Sequence, residues 1–136
     1  MPGLSKAAMQ GLIENALKSM LDPNVPAEQL SEFFSRDYRQ DVDGTTLDYD
    51  GFIAHAKDLK KSISSGKAIF EMMMFDGGNV ADVHIIEATK TNGEKIKVKV
   101  IAIFTIGDGK ITRVNELTHL LSGSPEDRNM GSRTSH

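Results

Sequence analysis

The chain has 136 residues, enough for one domain with one core, and its 39% hydrophobic and 26% charged residues exclude a wholly disordered chain. A net charge of −3 with no long basic run gives no sign of nucleic acid or an anionic membrane as partner. The absence of cysteine excludes disulfides and thiolate chemistry, and four histidines without metal-binding spacing lead us to expect neither a metal nor a cofactor.

No apolar run is long enough to span a bilayer. The first residues, 1–9, lack the basic-then-apolar pattern of a secretion signal, so a cytoplasmic location is expected. Ser5 can cap a helix running to about Met20, with Met9, Ile13, Ala16, Leu17 and Met20 on one apolar face. Asp22-Pro23 stops it. Pro26 fits the start of a short second helix carrying Leu30, Phe33 and Phe34. A short strand over 38–43 turns at Gly44-Thr45-Thr46 into a second over 47–49. Asp48 or Asp50 then caps a third helix over about 51–64, whose stripe is Phe52, Ala56, Leu59 and Ile63, with His55 beside it.

From Lys67 the pattern changes to strands. The run 68–75 is apolar on both faces and is expected to be covered on both. Three more strands follow, over 80–89, 95–106 and 110–121, joined at Asn92-Gly93 and Asp108-Gly109, both signals for two-residue hairpin loops. Residues 1–121 form the expected domain, and 122–136 read as a polar tail or arm. The fold class is α+β, with three helices on one face of a curved, mostly antiparallel sheet.

Two-residue loops set a register. They pair His84 with Ile101 and Ile101 with Glu116 on one face. Asp82, Ile103 and Val114 form the next row; Ile86, Lys99 and Thr118 form the row on the other side. The opposite face, with Ala81, Val83, Ile85, Val98, Val100, Ala102, Phe104 and Leu117, is more continuously apolar. A bulge would swap faces. The mixed face suits a pocket and the apolar face a homodimer interface, although the reverse assignment stays open. Glu116 in such a pocket is a candidate acid or base, with His84 as its proton shuttle or orienter. A structural carboxylate bonded to His84 or Arg113 is the bland alternative. His55, Tyr38 and Asp41 could also line the pocket; core packing is the ordinary role for His55 and Tyr38. The run Met72–Met74 is either core filling or an adaptable wall. Lys95, Lys97 and Lys99 read as a solvated strand face that discourages edge pairing.

The motifs Phe34-Ser35-Arg36-Asp37-Tyr38, Asp50-Gly51-Phe52-Ile53-Ala54-His55 and Asp108-Gly109-Lys110-Ile111 with Glu116 downstream resemble the nuclear transport factor 2-like superfamily. The closer likeness is to its SnoaL-like polyketide cyclase and ketosteroid isomerase-like branch. That resemblance implies a cone-shaped α+β barrel enclosing a pocket, and a dimer through the open sheet face. It implies a cofactor-independent isomerase or cyclase acting on a small, apolar carbonyl compound through carboxylate acid–base chemistry. A non-catalytic ligand-binding or assembly domain is the alternative, and a limonene-type epoxide hydrolase ranks below both. Relatives often carry a histidine where this chain has Asp41, and the aspartate–arginine–aspartate set of the epoxide hydrolases is missing.

Overall fold

A computed structural model of the chain describes residues 3–124. Helix α1 (Lys6–Leu21) begins at Ser5, whose hydroxyl accepts the Ala8 amide at 3.1 Å. Its buried face is Met9, Ile13, Ala16, Leu17 and Leu21. After Pro26 the second helix is a 3-10 helix, Ala27–Glu32. Phe34, expected in that helix, instead opens strand β1 (Phe34–Val42), because it pairs with Ile111 while Phe33 O accepts the Ile111 amide at 2.8 Å. Strand β2 (Thr45–Asp48) follows a two-residue turn in which Asp43 and Gly44 have φ of 51° and 87°. Asp48 caps helix α2 (Tyr49–Ser62) by accepting the Gly51 amide at 2.9 Å.

Four long strands follow: β3 (Ile63–Asp76), β4 (Asn79–Lys90), β5 (Lys95–Gly107) and β6 (Lys110–Ser122). The six-stranded sheet has the order β2-β1-β6-β5-β4-β3. Only β1 and β6 run parallel. Helix α1 lies against β3 and α2 against β1, so the helices fill the inner face of the curved sheet. Ile13, Leu30, Phe52, Val80 and Ile111 meet there with no exposed surface. Each such side chain contributes roughly 1.5–3 kcal/mol by leaving water. Ser122, expected in the tail, belongs to β6, and residues 125–136 lie outside the described residues. Among the described residues, no helix is long and apolar enough to cross a membrane.

The register differs from the two-residue expectation at β5. The β4–β5 hairpin has a three-residue loop, Thr91-Asn92-Gly93, in which the Gly93 amide bonds Lys90 O and Gly93 takes φ 90°. His84 therefore pairs with Val100 rather than Ile101. The Asp108-Gly109 loop does have two residues, but a bulge after Ile111 then pairs Glu116 with Ala102. The two one-residue shifts add to two between β4 and β6, so His84 shares its row with Val100 and Thr118, and Glu116 shares its row with Ala102 and Asp82. His84 and Glu116 still share the inner face, while β5 is turned over.

Hydrophobic patterning explains the outcome. The expected register would have turned Lys97 and Lys99 inward and Val98, Val100, Ala102 and Phe104 outward. The observed one keeps the lysines at the surface and buries Val100, Ala102 and Phe104. Strand β3 is also corrected: it is an edge strand, covered on its inner face alone. Ala68, Phe70, Met73 and Phe75 pack on the core, while Ile69, Met72 and Met74 are exposed. A bulge between Phe70 and Met72 makes Met73 the inward member of the methionine run.

Candidate functional site

A cavity of about 100 Å³ opens between the inner sheet face and the helices. That is several times the ~10–15 Å³ one water needs. Leu17, Met20 and Leu21 of α1, Leu59 of α2, and Ile86, Ala88, Ile96, Val98 and Val100 of β4 and β5 supply apolar walls. Gln40, His55, His84, Glu116 and Thr118 supply the polar groups. They come from β1, α2, β4 and β6, so only the assembled sheet and the docked helix bring them together.

Glu116 retains some accessible surface through the cavity but sits deep among protein atoms. Burial pushes its pKa up to about 7; the nearby His84 opposes the rise, and Asp82 and Asp43 add to it. His84 is 2% exposed, and its Nδ1 lies 2.8 Å from Asp82 Oδ2. The ring of Phe70 covers His84 at 5.5 Å between centroids. The Asp43 turn is tied to the same strand: its amide donates to Glu116 O at 3.1 Å, and its carboxylate accepts the Thr118 amide at 2.8 Å and the Thr118 hydroxyl. These bonds fix the backbone on either side of Leu117 and so fix where Glu116 points.

Of the residues singled out from the sequence, Glu116, His84, Ile86, Thr118 and His55 line this cavity. Asp82 lies behind His84, and Val114 is buried core on the same face. Tyr38 is core as well, packed at 4.8 Å and 4.7 Å between ring centroids on Phe34 and Phe52. Its hydroxyl donates to Gln40 Oε1 at 3.0 Å, which orients the Gln40 amide. Burial, and then the Glu116 charge, hold the Tyr38 phenol well above its ordinary pKa.

Besides Asp82, Val114 and Tyr38, four more expected wall residues do not line the cavity. Lys99, Ile101 and Ile103 were placed by the wrong β5 register and lie on the outer face, Ile101 and Ile103 about half exposed. Asp41 alternates outward from Tyr38 and Gln40; it bonds Arg113 at 2.9 Å and accepts the Thr46 hydroxyl. The Thr46 bond first, and then Arg113, lower its pKa. Gln40, Val98, Val100 and the α1 residues are walls that sequence reasoning missed. Two signals could have found them. Tyr38, Gln40 and Val42 alternate onto one face, and Lys95, Lys97 and Lys99 alternate with Ile96, Val98 and Val100. Among the described residues, no cluster of His, Asp and Glu is placed to hold a metal ion.

No family model matches the sequence. The Schizosaccharomyces pombe protein named Uncharacterized protein C11D3.04c is 37% identical over 123 residues, covering 90% of this chain and 95% of that protein. Among solved structures, a protein assigned as a SnoaL-like polyketide cyclase from Jannaschia sp. CCS1 superposes with a TM-score of 0.69 at 13% identity, covering 87% of this chain and 91% of that one. AusH from Aspergillus nidulans gives 0.74 at 11% identity, over 88% and 87%. An NTF2-like protein of unknown function from Cytophaga hutchinsonii gives 0.60 at 12% identity, over 88% and 94%.

Proposed function

The chain belongs to the family of the fission-yeast protein C11D3.04c and has the nuclear transport factor 2-like, SnoaL-like fold; from that premise we propose that it binds a small, apolar carbonyl compound and moves a proton on it without a cofactor. The observation that carries this reading is Glu116, a carboxyl with pKa about 7 that opens on an apolar-walled cavity beside His84. Such a group is poised to act as base and acid near neutral pH. As carboxylate it takes a proton from the carbon next to the carbonyl. The C–H electron pair becomes the enolate π bond and the carbonyl oxygen takes the charge. Returning the proton to another carbon completes an isomerisation; attack of the enolate carbon on a second carbonyl completes a cyclisation. Positioned proton transfer contributes about 10²–10⁴-fold in rate.

The test is exchange of α-protons for deuterium in cyclohexanone and 2-tetralone, followed by NMR in D₂O. The wild type is expected to accelerate exchange and Glu116→Gln to lose about 10²-fold or more of that acceleration. Equal exchange by both proteins sinks the proposal. A second reading, ligand binding without chemistry, is favoured by the small cavity volume and the preponderance of aliphatic walls. It predicts saturable binding of 2-tetralone with no acceleration by either protein.

The outer sheet face supports a further part of the proposal, a homodimer. Ile69, Met72, Met74, Ile101, Ile103 and Leu117 are 42–67% exposed on one face. A continuous apolar surface of that kind on a curved sheet fits a second copy of itself about a two-fold axis.

A further inference from the structure

Asp82 sits on the far side of His84 from the ligand space. It is 2% exposed and is absent from the cavity wall, and its Oδ2 is 2.8 Å from His84 Nδ1. A carboxylate at that distance accepts the Nδ1 proton. Its other oxygen, Oδ1, is buried with no hydrogen-bond partner, so His84 is the group that compensates the burial of this side chain. The ring is confined from other directions too: Phe70 of β3 covers it, Val100 of β5 is its register neighbour, and Glu116 of β6 supplies the facing charge.

We infer that Asp82 is a positioning residue that holds His84 as the Nδ1–H tautomer, leaving Nε2 as the acceptor that works with Glu116. This rests on the acid–base reading of Glu116 and His84 and adds to it a residue that never touches the ligand. The proton accounting is closed. A proton taken from carbon by Glu116 passes to His84 Nε2, and the resulting imidazolium keeps its Nδ1 proton against Asp82. The reverse transfer restores the starting state, and Asp82 itself is not protonated at any point. The arrangement also defines the ligand more narrowly. A protonated Glu116 donates and His84 Nε2 accepts, so the matching group is the enol of a carbonyl compound, whose hydroxyl accepts from the one and donates to the other.

The test is the protonation pattern of the His84 ring in the full, ligand-free chain. It is read by two-bond ¹H–¹⁵N correlation at a pH where the ring is neutral, with His84→Gln assigning the signals. The wild type is expected to carry the proton on Nδ1. Asp82→Asn is expected to move it to Nε2, because an asparagine amide donates to Nδ1, and to lower kcat for ketone exchange by about 10²–10⁴-fold with little change in KM. A wild-type proton on Nε2 overturns the inference, as does an Nδ1 proton that survives in Asp82→Asn. The wild-type spectrum decides even where the variant fails to fold. Because these spectra need no ligand, failure of the tautomer assignment is separable from failure of the acid–base reading, which ketone exchange tests alone.

Discussion

Glu116 makes folding pH-dependent in a direction opposite to that of most carboxylates. Its folded pKa, about 7, lies above the ordinary 4.5. Below the ordinary value both states are protonated and the residue contributes nothing. As pH rises toward 7 the unfolded chain releases the proton first, so folding is progressively disfavoured. Above 7 the full cost is present, on the order of 3 kcal/mol at ~1.4 kcal/mol per pKa unit. Glu116→Gln removes this term. The variant's stability relative to wild type is therefore expected to rise by about that amount between pH 4.5 and pH 8, in urea unfolding curves. A stability difference that stays flat across this range contradicts a carboxyl whose pKa is raised by burial. The residue itself was legible in the sequence as a carboxylate inside an apolar strand. Its depth was not, because depth depends on which helix covers it.

At the scale of elements, the last turn of α1 is held by a side chain from α2. Lys60 Nζ donates to Ser19 O and Asp22 O, each at 2.6 Å, and so adds a charged donor to carbonyls that also accept the Asp22 amide at 3.4 Å and the Val25 amide at 3.2 Å. Burial lowers the Lys60 pKa, and the Asp22 charge opposes that. The same turn carries Met20 and Leu21 into the cavity wall, so this contact fixes one side of the site. Gly66 lets the strand approach it, since a Cβ there would stand 3.3 Å from Leu21 Cβ. Lys60→Met keeps the apolar stem and removes two charge-assisted bonds, leaving each carbonyl its backbone amide. We expect a loss of about 1–3 kcal/mol and faster amide exchange at the end of α1. Unchanged stability and exchange would mean the Asp22 and Val25 amides hold this turn without Lys60. This contact joins residues far apart in sequence, and helix periodicity carries no information about it.

At the scale of the molecule, the sheet has one filled face and one face that is bare among the described residues. The filled face holds the core and the cavity. The bare face presents Leu117 at 67% and Ile101 at 56% exposure, both central on their strands. Replacing both with lysine is expected to leave the circular dichroism spectrum unchanged and to convert a dimer to a monomer in sedimentation velocity. A wild-type monomer at micromolar concentration rules out the dimer. Charge on the flanks of this face is paired, Lys97 with Glu87 at 3.4 Å and Lys99 with Glu71 at 3.8 Å, which leaves the apolar centre without a like-charge barrier. Exposed pairs of that kind add little stability by themselves.

The sequence alone determined the element types and their order and the cap at Ser5, and it narrowed the cap of α2 to Asp48 or Asp50. These are local properties: periods of 3.6 and 2, and short-range bonds between a side chain and the backbone next to it. Tertiary structure decided the orientation of β5, the parallel seam between β1 and β6, and the five polar groups that converge on the cavity. Asn92-Gly93 fits a two-residue loop and a three-residue loop with a bulge equally well. The choice between them came from burying Val100, Ala102 and Phe104 while keeping the lysines in water, a free-energy difference that exists only once the sheet has an inside.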